Sequence, residues 1–136
     1  MNVFVDTNII IDVLMQRCDF HDDAIKLFSL GDTGKVNLIV SALSITNAYY
    51  ILSRKIPGRH VRVELKKIKE YFETKPLTDK LIGFAINDMS FPDFEDGIQY
   101  YTAIENRCEF IISRNKKDFK NSQIPVLNAT EFLATF

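Results

Sequence analysis

The chain has 136 residues, of which 46% are hydrophobic and 26% are charged, a composition typical of a folded globular protein and not of a disordered segment. A formal net charge of −1 argues against a general nucleic-acid coat protein, which would normally be strongly basic, but allows an enzyme with a local basic patch. No apolar run approaches the ~18 residues that a membrane-spanning helix needs, and the opening residues do not resemble a secretory signal. We therefore expect one cytoplasmic domain over residues 1–136, with no membrane association.

Short apolar runs alternate with helical patterns from one end of the sequence to the other. Strands are predicted at 3–5, 36–40, 75–77, 110–112 and 125–127. Helices are predicted at 9–14, 20–30, 44–55, 61–72, 78–87, 94–107 and 129–136. In the helix at 94–107 we expect Phe94, Ile98, Tyr101 and Ile104 to share the core side. The alternation predicts an α/β fold in which helices flank a parallel central sheet.

The two cysteines, Cys18 and Cys108, are far apart in the sequence and belong to no metal-binding spacing. In a reducing cytoplasm, two buried free thiols are favoured over a disulfide between them. Any metal site in this chain is therefore expected to use other ligands.

Acidic residues stand where a predicted strand ends and where a predicted helix begins. Asp6 directly follows the strand at 3–5, and Asp93, Glu95 and Asp96 open the helix at 94–107. Asp93 and Asp96 are three residues apart, so they share one face of a helix. Helix capping explains a single acid at such a position equally well, but it explains three acids within four residues less well.

A third polar group, Ser113, Asn115 and Asp118, follows the strand at 110–112. By itself it is typical of a solvated loop, but the carboxyl ends of parallel strands meet at one edge, where we expect all three groups to converge. Carboxylates held together raise one another's pKa, and a cation relieves that repulsion. Oxygen ligands favour Mg²⁺ or Mn²⁺, whereas His21 and His60 are not spaced for Zn²⁺. Such a site indicates hydrolysis of a phosphodiester.

Three stretches resemble the motifs of the PIN domain family, in the family's order and across nearly the whole chain. They are the opening stretch 5–12 (VDTNIIID), the acidic helix start at 93–97 (DFEDG) followed by Ala103, and the late stretch 112–119 (ISRNKKDF). The resemblance implies a Mg²⁺- or Mn²⁺-dependent ribonuclease, and many bacterial members are VapC-like toxins held inactive by a small antitoxin.

The resemblance also assigns roles to single residues. It implies that Asp6, Asp96 and Asp118 are the metal ligands and that Ser113 and Asn115 line the site. Asp93 is either an accessory acid or a helix cap.

One position departs from the family pattern. Members commonly carry a glutamate on the helix after the second strand, where this sequence has Asn47. An amide oxygen can ligate a hard metal or position a water, but it adds no negative charge. Asn47 is therefore a candidate site residue. Because it lacks the charge of a glutamate, the sequence does not determine how tightly the site binds a metal.

The sequence also bears on partners. From Arg54 to Lys69 it carries seven basic residues against one acid, a stretch suited either to RNA phosphates or to a solvated helical face. Tyr50 and Tyr100 could stack bases, although aromatic residues at helical spacing are usually core. The resemblance implies a homodimer, for which the apolar residues 48–52 could serve as interface or as core.

Two other functions compete with a ribonuclease. A catalytically weakened PIN domain that binds RNA or a protein is supported by Asn47. A phosphatase of the haloacid dehalogenase type also begins with an aspartate after its first strand, but it expects a second aspartate where this chain has Asn8. The leading hypothesis is therefore a metal-dependent endoribonuclease.

Overall fold

The computed structural model of the protein describes residues 1–16 and 19–136. Its strands are β1 (Asn2–Val5), β2 (Asn37–Ser41), β3 (Glu73–Lys75), β4 (Phe110–Ile112) and β5 (Val126–Leu127). Its helices are α1 (Thr7–Leu14), α2 (His21–Asp32), α3 (Ala42–Ser53), α4 (Gly58–Lys69), α5 (Asp79–Asn87), α6 (Phe94–Glu105) and α7 (Ala129–Leu133), with a short 3-10 turn at Lys116–Phe119. The strands form one parallel sheet in the order β3-β2-β1-β4-β5. The predicted α/β architecture is confirmed.

Strand β1 lies at the centre of the sheet, because it pairs with β2 on one side and with β4 on the other. Phe4 stands opposite Ile39 of β2 and Ile111 of β4. Successive side chains point to opposite faces, so Val3 and Val5 join one core cluster while Phe4 joins the second. The carboxyl ends of β1, β2 and β4 consequently meet at one edge of the sheet, and this edge positions the site.

Side-chain caps fix where several helices begin. The hydroxyl oxygen of Ser41 accepts a hydrogen bond from the backbone N–H of Leu43 at the start of α3. Thr78 caps α5 in the same way, and Asn128 and Glu131 form a reciprocal capping box on α7. Each cap satisfies backbone donors that have no partner inside the helix.

Some boundaries differ from those that the sequence predicted. Helix α4 begins at Gly58 instead of residue 61 and ends at Lys69 instead of residue 72, while β3 starts two residues earlier than predicted. The proline at position 57 explains the early start, because its fixed φ suits the entry to a helix and its missing N–H is not needed there. The prediction had assigned Pro57 and Gly58 to the end of the preceding helix.

The predicted core face of α6 is confirmed for Ile98 and Tyr101 but is wrong for Phe94 and Ile104. Phe94 and Ile104 are 48% and 41% exposed, whereas Ile98 is buried. Gly97 and Ala103 are buried as well, and a Cβ added at Gly97 would lie 3.5 Å from the Cβ of Ala85 on α5. The apolar residues had suggested one stripe, but α6 packs against α5 through small residues that a hydrophobicity pattern does not mark.

Cys108 is a buried free thiol, as predicted, and burial raises its pKa to about 12. Cys18, for which the same was predicted, lies outside the described residues. Within residues 1–16 and 19–136, every helix is too short or too polar to cross a membrane.

Candidate functional site

Asp6 leaves the carboxyl end of β1 and is almost completely buried, with 4% of its surface exposed. It occupies the residue before α1, yet its side chain makes no capping hydrogen bond. Its Oδ2 atom instead accepts a hydrogen bond of 2.7 Å from the hydroxyl of Ser113, the residue that follows β4. The simple capping interpretation of Asp6 is therefore wrong, and the carboxylate faces the neighbouring strand end.

Burial raises the pKa of the Asp6 carboxyl above its ordinary value, because the charged form is poorly solvated there. Hydrogen bonds from Ser113 and Gln99 oppose this effect, and the negative charge of Asp118 reinforces it. The hydrogen-bond donors that hold the Asp6 carboxylate in place are therefore neutral groups. None of the described residues that shift its pKa is a cation.

Asp96 lies in the first turn of α6 and is half-buried. Its pKa is raised to about 7, first by burial and then by the charges of Asp93, Asp6, Asp118 and Glu95, in that order. Four other carboxylates from three segments of the chain therefore lie close enough to disfavour its charged form. The structure brings together Asp6, Asp96 and Asp118 despite their separation in sequence.

Asp93 is the helix cap of α6. Its Oδ1 atom accepts a hydrogen bond of 2.8 Å from the backbone N–H of Glu95, while its charge contributes to the raised pKa of Asp96. The two interpretations of Asp93 that the sequence left open are thus compatible. The side chain is exposed and stands at the rim of the carboxylate group.

The segment after β4 forms a tight turn that holds Asp118 near the strand end. The backbone N–H of Asn115 donates to the hydroxyl of Ser113 at 3.0 Å, and the N–H of Asp118 donates to the carbonyl of Asn115 at 3.0 Å. Arg114 fastens this turn to α1, because its Nε atom lies 2.8 Å from the carboxylate of Asp12. The position of Asp118 therefore follows from backbone geometry and from an ion pair with a buried acid.

An open depression exposes part of this carboxylate group to solvent. Its lining residues are Ser90, Pro92, Asp93, Asp96, Lys117, Asp118 and Lys120. Two exposed lysines thus stand beside the acids, at a distance from which their ammonium groups could attract an anionic substrate. A second depression is lined by Asp12, Phe20 and Arg114, and also by Asn115, which the sequence had placed in the site and which is absent from the lining of the first depression. We assign the site to the first one because it contains the carboxylates whose charges interact.

Asn47 lies on the second turn of α3 and contacts the start of α6. Its Nδ2 atom donates a hydrogen bond of 2.6 Å to the Oε1 atom of Glu95. Both side chains are half-buried. Asn47 therefore borders the carboxylate group through Glu95, a residue that sequence reasoning did not select for the site.

Sequence reasoning also missed Gln99 and Ser44. The side-chain oxygen of Gln99 accepts from the backbone N–H of Thr7 at 3.4 Å, and the hydroxyl of Thr7 donates to that of Ser44 at 2.7 Å. Gln99 stands three residues after Asp96, so helical spacing could have placed the two on one face. Nothing in the sequence marks Ser44, which looks like any small residue near a helix start.

The donor chemistry of the site fits a hard divalent cation, since carboxylate oxygens with raised pKa values gain from a positive charge. In the part of the chain that the structure describes, no three Asp, Glu, His or Cys side chains are gathered around a single point in the manner of a formed metal site. The carboxylates are nevertheless close enough for their charges to act on Asp96. His60 is exposed and His21 half-buried, as expected for residues outside the site.

Comparison with known proteins gives consistent relatives. Residues 2–117 match the family described as PIN domain. Ribonuclease VapC1 of Aquifex aeolicus (strain VF5) is 33% identical over 134 residues, which are 96% of this chain and 92% of that protein. VapBC2 from Rickettsia felis, bound to a DNA fragment from its promoter, matches with a TM-score of 0.70 at 16% identity, over 94% of this chain and 98% of that one. A toxin–antitoxin complex from Klebsiella pneumoniae matches with a TM-score of 0.67 at 20% identity, over 93% and 97% of the two chains.

Replacing Asp96 by asparagine should stabilise the protein in the presence of a chelator, and more so as the pH rises. The folded-state pKa of about 7 lies above the ordinary 3.8, so ionisation of Asp96 destabilises the fold progressively between these values and fully above them. The gain in melting temperature of Asp96→Asn should therefore be absent near the lower value and reach a plateau above the higher one.

Asp32→Asn is the matched control, because Asp32 is an exposed acid at the far end of α2. Its melting temperature relative to the parent should not change across the same pH range. A gain for Asp96→Asn that is independent of pH would contradict the raised pKa of Asp96, which burial and the neighbouring charges produce together.

Proposed function

Since the chain belongs to the PIN domain family, we propose that it is a divalent-metal-dependent endoribonuclease and the toxin of a toxin–antitoxin pair. The observation that carries the proposal is the meeting of Asp6, Asp96 and Asp118, from three separate segments, at the carboxyl edge of the sheet. The identity of 33% to Ribonuclease VapC1 over 96% of the chain supports the same activity.

Asp6, Asp96 and Asp118 would hold Mg²⁺ or Mn²⁺, which when bound supplies activation of a water and neutralisation of charge that develops on the phosphate. Ser113 orients the Asp6 carboxylate, and its hydroxyl also accepts the N–H of Asn115, so it links the strand end to the turn that carries Asp118. Asp93 sets the start of α6 and with it the position of Asp96. The protein thus holds its acids through hydrogen bonds that do not depend on the ion.

RNA is the proposed substrate, and the exposed face of α4 is suited to its phosphates. Arg59, Arg62, Lys66 and Lys69 recur at helical spacing and are exposed, while the opposite face of α4 is buried in the core. The guanidinium of Arg62 lies 5.9 Å from the centroid of the Tyr49 ring on α3. The basic face therefore adjoins α3, the helix whose second turn borders the carboxylates.

A small antitoxin is the proposed protein partner. The similar structure from Klebsiella pneumoniae is a toxin–antitoxin complex, and this chain shares its fold over 93% of its length. A ribonuclease that cuts cellular RNA harms the cell that makes it unless an inhibitor is present. We therefore expect an inhibitor protein to be encoded beside it. We place this partnership in the cytoplasm, where RNA is available.

Homodimerisation is proposed through an apolar patch formed by Tyr50, Ile51 and Phe94. Tyr50 is 61% exposed, and Ile51 and Phe94 are also exposed. Tyr50 and Ile51 follow Asn47 by one helical turn, and Phe94 directly precedes the Glu95 that Asn47 contacts, so the backbone positions of all three lie near the contact between α3 and α6. In contrast, Ala48 and Leu52 are buried and belong to the core.

A catalytically weakened domain that binds RNA or a protein is the second candidate function. It is favoured by Asn47, whose amide contributes no charge and whose donor group is already engaged by Glu95. Binding without cleavage in a sensitive assay would select it.

The purified protein should cut single-stranded RNA in Mn²⁺ or Mg²⁺ and should lose that activity in chelator. Asp118→Asn should reduce the rate by more than about 100-fold, since removing a ligand should exceed the 10–100-fold effect of losing a ligand's hydrogen-bond partner. Asp32→Asn, which removes an acid far from the site, should retain parental activity. Cleavage that persists in chelator, or in Asp118→Asn, would contradict the proposed site.

Reversing charge on α4 should weaken RNA binding. Measured by fluorescence anisotropy in an Asp118→Asn background, the double change Arg62→Glu and Lys66→Glu should lower the affinity for RNA. It should also flatten the salt dependence by about 0.7 in log–log slope for each phosphate that the protein no longer neutralises. Lys26→Glu changes an exposed lysine on α2 and should leave the slope unchanged. If Lys26→Glu, which changes the net charge by half as much as the double variant, has half its effect, net charge alone explains the result and a track on α4 is excluded.

The protein should be a dimer by light scattering, and Tyr50→Asp should convert it to a monomer, because a charge on an apolar interface remains unsolvated in the dimer. Phe136→Asp is the control, since Phe136 is a 55% exposed aromatic at the C-terminal end of the chain. A monomeric parent would refute the dimer. If Tyr50→Asp remains dimeric, the ring does not lie in the dimer interface.

A further inference from the structure

Glu95, whose charge helps to raise the pKa of Asp96, is held by a residue from a different helix. It is the second residue of α6, directly before Asp96, and its Oε1 atom accepts the amide hydrogen bond of Asn47 at 2.6 Å. The two residues are 48 positions apart in sequence, so the bond ties α3 to α6 at the edge of the sheet. The remaining oxygen of the Glu95 carboxylate has no hydrogen bond to a described residue that would fix it elsewhere.

The position of Glu95 follows from the surrounding contacts. Asp93 fixes the first turn of α6 by capping the N–H of Glu95, and Ser41 fixes the first turn of α3. The contact between Asn47 and Glu95 spans these two fixed helix starts. An amide that donates to a carboxylate forms a charge-assisted hydrogen bond, which is stronger and more directional than one between neutral groups.

We infer that Glu95 supplies a fourth carboxylate to the proposed metal site and that Asn47 is its positioning residue. This inference rests on the proposed function. The place on α3 from which a carboxylate could reach the site is taken by an amide, and the carboxylate that this amide holds stands on α6 instead. In this arrangement one negative charge would come to the site from α6 in place of α3, which gives the proposed site four acids: Asp6, Glu95, Asp96 and Asp118.

A purely structural role for Glu95 makes different predictions. If the side chain only ties α6 to α3, a glutamine at position 95 should serve as well, because its side-chain oxygen can still accept from Asn47. If its charge matters to the ion, glutamine should fail although the hydrogen bond survives. In that case a glutamate carboxylate on either α3 or α6 should support binding of the ion.

The experiment compares Glu95→Gln, Asn47→Glu and the exchange variant that carries both changes. Mn²⁺ alone is titrated while the melting temperature is recorded, since an ion that binds only the folded state raises that temperature by an amount that grows with its affinity. Glu95→Gln should require at least about 10-fold more Mn²⁺ for the same rise. The exchange variant has glutamate at position 47 on α3 and glutamine at position 95 on α6. It should recover the parental Mn²⁺ response, and it should also recover RNA cleavage.

Asn47→Glu alone sets two carboxylates against each other, so it should be less stable than the parent in chelator and should regain stability as Mn²⁺ is added. Glu105→Gln, at the other end of α6, is the control and should leave the Mn²⁺ response unchanged. It removes a glutamate from the same helix outside the site.

The outcomes separate this inference from the proposed function. If the parent responds to Mn²⁺ and cuts RNA but Glu95→Gln does so equally, Glu95 is only a tether and the inference is overturned while the function stands. If Glu95→Gln weakens the Mn²⁺ response and the exchange variant does not restore it, a carboxylate at position 47 cannot replace the one at position 95. That result would overturn the inferred equivalence of the two positions. A parent that neither binds Mn²⁺ nor cuts RNA overturns both proposals together.

Discussion

The burial of a carboxylate at the end of the central strand is the constraint on which the rest of the site depends. Asp6 follows a strand that is paired on both edges and covered on both faces, so its side chain has almost no access to water. Its neighbours must therefore supply the hydrogen bonds that water would otherwise donate to the carboxylate. The hydroxyl of Ser113 and the amide of Gln99 donate them. A shift of β4 by one residue would turn the Ser113 side chain to the other face and remove this support.

The same constraint explains why the other acids come from elements that touch this strand end. Gln99 lies one turn after Asp96 on α6, so a helix oriented to support Asp6 necessarily brings Asp96 close. Ser113 begins the turn that carries Asp118. Each hydrogen bond to the buried carboxylate is thus coupled to the approach of another acid. Burial is the first cause of the raised pKa of Asp96, and the charges of the neighbouring acids add to it. The Asp12–Arg114 pair and the α6 cap hold the segments that carry these acids in place.

Local patterns in the sequence were sufficient for the architecture but not for contacts between distant elements. The strand at Phe110–Ile112 was predicted to the residue, since a short buried run between polar turns has few other interpretations. The outward position of Phe94 could not be predicted in this way, because it depends on how α6 packs against Ala85 through Gly97. The pairing of Asn47 with Glu95 is of the same kind, since nothing local to either residue identifies the other.

The distribution of charge shows why the net value of −1 says little about the substrate. Acids are concentrated at one edge of the sheet, and basic residues are concentrated on the exposed face of α4. Helix α3 lies between them, with Asn47 beside the acids and Tyr49 beneath the guanidinium of Arg62. A backbone of phosphates that crosses α3 would meet attraction on one side and, on the other, acids that repel it until a cation is bound. Under the proposed function, such an arrangement would make substrate binding depend on the metal, since a bound ion would add to Lys117 and Lys120 the positive charge that offsets the acids.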